Sequence, residues 1–220
     1  MQKQDWLDRW QKNQIGFHQD SVNPHLKNHI ESFNLNPGDR VFMPLCGKAH
    51  DIAWLAKQGF EVVGIEISGI AIEAFFAEYK MQYQQFQSEK FIMRRSGDIM
   101  LIEGDYFDLQ SEDLAGCKLV YDRAALIAME NQSRDSYCAH MQAITPDDCD
   151  MLLITLDYDQ AQMSGPPFSV SENEVFEHYQ DQYQIEVCEK LQIVDEEPRW
   201  RKQGLTSLLE SVYRLKRGRL

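Results

Sequence analysis

The segments RVFMPLCGKAHD (residues 40–51) and EVVGIEIS (residues 61–68) decide the fold of this chain. Each contains a short apolar run, and a helix-like segment that Gly59 ends lies between the two runs. Because these runs are apolar on both faces, they are typical of parallel strands buried between layers of helices. The pattern therefore predicts a strand, a tight turn, a helix and a second strand that an acidic residue closes.

The closing acid, Glu66, follows the turn glycine Gly47 by 19 residues. An acid about 20 residues beyond a glycine turn binds ribose hydroxyls in nucleotide-binding α/β folds. A dinucleotide would require three spaced glycines for its pyrophosphate, and this turn has one. The spacing therefore favours a nucleoside ligand without phosphates, such as S-adenosylmethionine, with an ordinary strand–helix–strand unit and a solvated Glu66 as the alternative.

Composition and charge limit the class of protein. The chain has 220 residues, enough for one substantial core, and we expect a single domain over residues 1–220. Its formal net charge of -13, from 35 acids against 22 bases, repels phosphate backbones and argues against a nucleic-acid partner. No long apolar run predicts a membrane span, and the first residues lack an apolar signal core. Five scattered cysteines without a Cys-x-x-Cys pair favour a reducing cytoplasm and no metal.

Strand-like and helix-like segments alternate along the chain. Seven segments are strand-like: residues 41–44, 61–67, 99–103, 118–122, 151–156, 186–191 and 205–215. Six segments are helix-like: an N-terminal helix that Asp5 caps, and residues 25–33, 51–58, 70–79, 134–143 and 172–179. This predicts an α/β fold with a doubly wound, mostly parallel seven-stranded sheet and helices on both faces. The last two strands lack an intervening helix, so one of them is expected to run antiparallel, and residues 81–97 are too polar to assign.

Polar groups follow the predicted strands at the edge where open α/β sheets bind ligands. Asp105 and Tyr106 follow one strand, and Asp122 and Arg123 follow the next. Tyr106 offers an apolar wall for an adenine, and Arg123 offers a planar fork of donors for a carboxylate. Each acid alone is equally well explained as a turn or cap residue.

Aromatic residues near the N-terminus form a second candidate group. Trp6 and Trp10 share one helical face, and a sulfonium beside them would gain cation–π attraction of about 0.5–2 kcal/mol. The alternative is that both tryptophans are core residues, and Phe17 taken alone is more often a core phenylalanine. His18 is expected to face solvent, and Cys46 to serve in packing.

Six stretches carry a family resemblance when they are taken in order: DWLDRW (5–10), GFHQ (16–19), VFMPLCGK (41–48), VVGIEIS (62–68), DRAAL (122–126) and GPPF (165–168). Together they span nearly the whole chain and resemble the thiopurine S-methyltransferase family. This is a family of class I S-adenosylmethionine-dependent methyltransferases with a Rossmann-like fold. The Pro-Leu-Cys-Gly-Lys turn is distinctive, since most class I methyltransferases have a glycine-rich turn there.

The resemblance implies a role for residues at matching positions. Cofactor contacts are implied for Trp6, Trp10, Leu45, Glu66, Asp105, Tyr106 and Arg123. Phe17 matches an aromatic residue beside the substrate, and Arg199 matches a basic residue near the acceptor pocket, although Pro198 departs from the family pattern. Arg123 is also the catalytic candidate, for stabilising the acceptor anion or assisting its proton loss. Residues 1–35 are expected to form a helical lid on a core of residues 36–220.

The implied reaction is methyl transfer from S-adenosylmethionine to an aromatic or heterocyclic thiol such as a thiopurine, with S-adenosylhomocysteine as product. The alternatives are a selenium or tellurium methyltransferase, a non-catalytic S-adenosylhomocysteine or nucleoside sensor, and a nicotinamide dehydrogenase. The single-glycine turn and the lack of a hydride-chemistry dyad count against the last. We expect a cytoplasmic monomer with a small-molecule thiol or metalloid acceptor and with no metal, nucleic-acid or membrane partner.

Overall fold

The computed structural model describes residues 3–218 of the chain. These residues contain seven α-helices and nine β-strands, and they divide into two compact units. The first unit comprises residues 3–121 and 144–146, and the second comprises residues 122–143 and 147–218.

The first unit is built around a mixed sheet. It contains helices α1 (Lys3–Gln11), α2 (Pro24–His29), α3 (His50–Lys57) and α4 (Gly69–Glu78), and strands β1 (Arg40–Met43), β2 (Glu61–Glu66), β3 (Gln84–Gln87), β4 (Ile92–Ser96), β5 (Ile99–Glu103) and most of β6 (Cys117–Arg123). The strand order is β3-β4-β5-β2-β1-β6. Strands β5, β2, β1 and β6 are parallel, and β4 and β3 continue the sheet antiparallel.

The parallel strands form the buried centre of this unit, as their apolar runs predict. Val41 and Phe42 on β1 and Val62 on β2 are fully buried, and helices α3 and α4 pack against β2 and β5. Helix α4 begins after Ser68, whose side chain accepts a hydrogen bond from Ala71 N. Asp5 is not a cap, because it lies within the first turn of α1.

The β3–β4 hairpin fills the segment that the sequence leaves unassigned. Gln84 pairs with Arg95, and Phe86 pairs with Met93. All four residues of β3 are exposed, so this edge strand has no buried face and no apolar alternation. The pairing with β4 therefore forms it without a local sequence signal.

The second unit contains an antiparallel set of strands. Its elements are most of α5 (Asn131–Ile144), β7 (Asp150–Asp157), α6 (Glu172–Tyr179), β8 (Tyr183–Gln192), α7 (Pro198–Lys202) and β9 (Leu209–Arg217). The strand order is β7-β9-β8, and β9 is antiparallel to both neighbours. The expectation of an antiparallel strand near the end of the chain is therefore confirmed.

Several predicted boundaries are corrected by the structure. Nine strands occur among residues 3–218 where the sequence predicts seven, because the β3–β4 hairpin adds two. Residues 205–208 precede β9 rather than belonging to it, and the short helix α7 was not predicted. No helix within residues 3–218 combines the length and the apolar character needed to cross a membrane. The single-domain organisation and the division at residue 35 remain predictions.

Candidate cofactor and substrate site

The turn after β1 has an unusual backbone. Leu45 has φ 45° and Gly47 has φ 54°, both in the left-handed region, which glycine adopts readily and leucine seldom does. Cys46 N donates to Ile65 O at 2.9 Å and holds the turn against β2. A Cβ at Gly47 would lie 3.2 Å from a ring carbon of Trp10. The turn therefore requires glycine there both for conformation and for close approach.

Glu66 lies beside this turn, at the end of β2. Its carboxylate accepts one hydrogen bond on each oxygen, from Gly47 N to Oε2 and from Ser68 N to Oε1, both at 2.9 Å. The side chain is buried, and burial raises its pKa to about 7, while the backbone donors act in the opposite direction. The alternative of a solvated Glu66 is therefore wrong, and the acid and the turn form one structure.

An aromatic cluster covers the turn from the N-terminal side. The Phe17 ring packs edge-to-face against Trp6 and against Trp10, with ring centroids 5.6 Å apart in each pair. Trp10 is buried and lies against Gly47, and Trp6 is half-buried. The three aromatic residues singled out in the sequence are thus brought together over the glycine turn.

Asp105 and Tyr106 follow β5, at the same edge of the sheet. Gly104 N donates to Glu66 O at 3.0 Å, which joins the end of β5 to the end of β2. Asp105 accepts a hydrogen bond from Phe107 N at 3.1 Å and forms an ion pair with Lys3 of α1. Asp105 is therefore a cap residue, which is the structural alternative to a binding role, and it also contacts the N-terminal helix. Tyr106 is buried and its ring packs against the exposed Phe107.

Asp122 and Arg123, at the end of β6, belong to the second unit. The Asp122 carboxylate is fully buried and accepts hydrogen bonds from Leu126 N at 3.0 Å and from the Tyr137 hydroxyl at 2.7 Å. Burial raises its pKa to about 6. One oxygen is bonded to Tyr137 on α5, and the other is bonded to Leu126 in the turn before α5. Asp122 therefore has a structural role. Among residues 3–218 the structure gives the half-buried Arg123 guanidinium no hydrogen bond or ion pair.

Arg199 lies in the second unit on the exposed helix α7. Pro198 occupies the first turn of that helix, where proline is favoured, so the departure from the family pattern has a local structural reason. The Arg199 guanidinium bonds Glu197 at 2.6 Å through Nε and lies over the Trp200 ring, 4.2 Å from its centroid. The structure thus ties Arg199 to its chain neighbours, and its substrate role remains a prediction.

The sequence missed one cluster of polar side chains in the first unit. His18 is half-buried rather than solvent-facing, and its ring lies 5.3 Å from that of His50. His50 Nδ1 is 2.6 Å from the Tyr79 hydroxyl, and Lys48 Nζ is 3.0 Å from a Glu78 oxygen. The two histidines are far apart in the chain, and no local motif joins them. Cys46 is buried with its pKa raised well above the usual value by burial, which agrees with a packing role.

Comparisons of the sequence identify the family. The family model described as thiopurine S-methyltransferase matches residues 1–218. A Pseudomonas paraeruginosa protein named thiopurine S-methyltransferase is 46% identical over 99% of this chain and 100% of its own length. A Pseudomonas putida protein of the same name is 47% identical over 96% of this chain and 98% of its own length.

Solved structures support the fold independently of close sequence similarity. A Burkholderia thailandensis 1,6-didemethyltoxoflavin-N1-methyltransferase, with S-adenosylhomocysteine bound, has a TM-score of 0.65 at 14% identity, covering 97% of this chain and 87% of its own. An S-adenosylmethionine-dependent methyltransferase from Anabaena variabilis has a TM-score of 0.63 at 12% identity, covering 98% and 95%. The chain therefore belongs to the thiopurine S-methyltransferase family and is a methyltransferase with the fold of the S-adenosylmethionine-dependent enzymes.

Proposed function

We propose that this protein transfers the methyl group of S-adenosylmethionine to the sulfur of an aromatic or heterocyclic thiol, thiopurines included. The observation that carries the proposal is the full-length similarity to relatives named thiopurine S-methyltransferase. The geometry around Glu66 supplies independent support, because it suits a ribose.

Glu66 is the residue best suited to the cofactor. A carboxylate has about four lone-pair sites; Gly47 N and Ser68 N occupy one on each oxygen, and Ile67 N also acts on the carboxylate. The carboxylate keeps lone-pair capacity for neighbouring hydroxyls, the groups that a ribose diol presents. The backbone bonds also fix the carboxylate in place, so little conformational entropy is lost when a diol binds.

The other cofactor residues of the first unit fit the remaining parts of the molecule. The buried ring of Tyr106, with the adjacent Asp105, suits an adenine, which offers a flat apolar face and polar edges. Trp6 and Trp10 suit a cation, because indole faces attract positive charge. Leu45, in the turn that holds Gly47, supplies an apolar contact at the same edge.

The protein's task in this reaction is positioning. When bound, S-adenosylmethionine supplies a methyl group already activated by its sulfonium charge. The residues of the site hold donor and acceptor in line and exclude water, for which orientation contributes up to about 7–11 kcal/mol. The cluster of Trp6, Trp10 and Phe17 is the part suited to excluding water, with Phe17 against the acceptor. No metal takes part in this scheme.

Arg123 is proposed as the residue that stabilises the acceptor anion or assists its proton loss through water. A heterocyclic thiol is acidic enough that a nearby guanidinium favours the thiolate, and we name no general base. Support comes from the family resemblance and from the guanidinium's lack of a side-chain or backbone partner within residues 3–218. Arg199 is kept as a substrate residue on the resemblance alone.

A methyl-transfer assay tests the function. The protein is incubated with methyl-labelled S-adenosylmethionine and a heterocyclic thiol, and products are followed by mass spectrometry, with the oxygen analogue of the thiol as the matched control. We expect S-methyl product and S-adenosylhomocysteine with the thiol and neither with the control. Transfer only to selenite or tellurite would favour metalloid methylation, and S-adenosylhomocysteine binding without any transfer would favour a sensor. Tighter binding of NAD than of S-adenosylhomocysteine would contradict the cofactor assignment.

The cellular setting completes the proposal. Five free cysteines among the described residues suit a reducing compartment, so we place the enzyme in the cytoplasm. We further propose that it is a monomer that acts on small molecules. Nucleic acid is disfavoured as a partner by the net charge of -13.

A further inference from the structure

We propose that His18 and His50 form a proton-sensitive latch that holds the N-terminal cover, residues 3–22, against the first unit while the His18 imidazole is neutral. The latch consists of His18, Lys48, His50, Glu78 and Tyr79. The consequence for catalysis rests on the proposed function, because it concerns Trp6, Trp10 and Phe17, but the latch itself is a property of the free protein.

The cover is fixed firmly at its end and weakly in its middle. At residue 23 the backbone N–H of Asn23 donates to the buried carboxylate of Asp51 at 2.8 Å, and α2 follows with Leu26 fully buried. Between α1 and this anchor, residues 11–14 and 19–21 are exposed, and residues 12–22 contain no helix or strand. His18 lies in this stretch, so its contact with His50 attaches the loop to α3.

The contact is an imidazole facing an imidazole. The two ring centroids are 5.3 Å apart with the planes inclined by 37°. His50 is held in place from α4, where its Nδ1 meets the Tyr79 hydroxyl at 2.6 Å and its Nε2 lies 3.6 Å from a Glu78 oxygen. His50 is therefore a fixed platform, and His18 is the mobile partner that the cover brings to it.

Charge around the contact makes it sensitive to protons. His18 faces Lys48 from the turn, His50 from α3 and Glu78 from α4, and Asp20 lies on its own loop. The Tyr79 hydroxyl bonds His50, and Asp51 and Glu78 act electrostatically on Tyr79. Glu78 is already paired with Lys48 at 3.0 Å, so its charge is partly neutralised. A proton on His18 would thus be desolvated beside Lys48 and a second imidazole.

The pKa of His18 sets the direction in which pH changes the closure of the cover. Burial, then Lys48 and His50, lower its pKa from the usual value, while Glu78 and Asp20 oppose them. In the open cover the ring is in water with an ordinary pKa of about 6.5. The closed state is therefore favoured fully above that pH and is weakened as the pH falls below it, because the open state then binds more protons.

The movement would reach the site through the chain itself. Phe17, next to His18, holds Trp6 and Trp10 in edge-to-face contacts. Release of His18 would free the residue that follows Phe17 in the chain. The latch is therefore a positioning device for the aromatic cluster and not a participant in methyl transfer.

Hydrogen exchange on the ligand-free protein tests the latch. The probes are the amides of Gln14 and His18, which donate to Arg9 O and Ile15 O within the cover. Rates at pH 5.5 and pH 7.5, corrected for intrinsic exchange, give the opening equilibrium of this segment. We expect opening to increase by at least about threefold at the lower pH, with amides of β1 and β2 unchanged.

Two variants separate the latch from general acid sensitivity. His18→Phe keeps a flat ring that binds no proton, and His50→Phe replaces the imidazole that faces His18. We expect the pH response of the cover to disappear in His18→Phe and to shrink in His50→Phe. In the matched control His140→Phe, on α5, the response should persist. A cover whose opening is independent of pH in the wild-type protein, or an unchanged response in His18→Phe, would overturn the latch. Because no ligand is used, neither result depends on whether the thiol assay succeeds.

Discussion

Glu66 and Asp122 are both buried acids at strand ends, but their hydrogen bonds give them different tasks. Glu66 accepts only backbone N–H groups, from the turn after β1 and from the start of α4. Asp122 accepts backbone N–H groups and, in addition, the hydroxyl of Tyr137 on α5. The first acid shapes a glycine turn at the edge of the sheet, and the second anchors a helix.

This difference teaches how a binding acid is distinguished from a structural one. Burial raises the pKa of both carboxyls, to about 7 for Glu66 and about 6 for Asp122, so a raised pKa does not separate them. The identity of the hydrogen-bond donors separates the two acids. The side-chain donor commits Asp122 to an internal contact, whereas the turn of Gly47 holds Glu66 where a nucleoside is expected.

The largest effect is expected from Glu66→Ala. Loss of charge-assisted hydrogen bonds to the ribose costs about 1.5–3 kcal/mol, which weakens S-adenosylhomocysteine binding by about tenfold to a hundredfold. Titration calorimetry measures the affinity. Glu66→Gln, which keeps an acceptor, is the milder companion variant. A folded Glu66→Ala protein with wild-type affinity would remove Glu66 from the site.

Arg123→Lys should have the next largest effect. Lysine keeps the positive charge but lacks the planar fork of donors, and we expect at least about a tenfold loss in kcat/KM, or about 1.4 kcal/mol. Steady-state kinetics with several thiols measures this loss, and the melting temperature should change little because the guanidinium has no internal partner among the described residues. Near-normal turnover in this variant would mean that Arg123 only contributes to packing.

The pH dependence of cofactor affinity should be smaller. A diol binds the ionised form of Glu66, whose pKa in the free protein is about 7. Affinity for S-adenosylhomocysteine should therefore rise as the pH increases from 6 to 8, by up to about tenfold, and level off above. Calorimetry at several pH values checks this, and in Glu66→Gln the dependence should be lost. An affinity that falls over this range would contradict the assignment.

Asp122→Asn should have the smallest effect on ligand affinity. The substitution weakens the bonds to Leu126 N and the Tyr137 hydroxyl, so the free energy of unfolding should fall by about 1–2 kcal/mol at pH 8. Urea denaturation measures this loss. S-adenosylhomocysteine affinity should stay within about twofold of wild type. A large loss of affinity at full stability would give Asp122 the role assigned to Glu66.

The sequence predicts the β1–α3–β2 unit well because its signals are local. Two apolar strands, a glycine after the helix and an acid at the strand end occur within 30 residues, and the structure places all of them as expected. Helix α6 has the predicted bounds Glu172–Tyr179, since it begins at the capping Ser171 and has an apolar stripe. The β3–β4 hairpin was not predicted, because strand pairing, and not an apolar face, forms it.

The candidate site was only partly predictable, for a physical reason. Glu66, Trp6, Trp10 and Phe17 could be named from spacing and resemblance, and the structure brings them to one turn. The partner of Asp122 lies 15 residues away on a helix, and the His18–His50 contact joins distant segments. Such contacts depend on tertiary packing, which no local pattern encodes.

A binding cycle with deoxy analogues tests the central claim, that Glu66 binds the ribose diol, most directly. Removal of the Glu66 side chain also frees Gly47 N and Ser68 N, so a loss of affinity alone does not prove contact with the ribose. Calorimetry of S-adenosylhomocysteine and its 2′-deoxy and 3′-deoxy analogues, against wild type and Glu66→Ala, isolates the contact. We predict that wild type binds each analogue at least about tenfold more weakly, whereas Glu66→Ala binds all three within about twofold. Equal discrimination by both proteins would contradict the account.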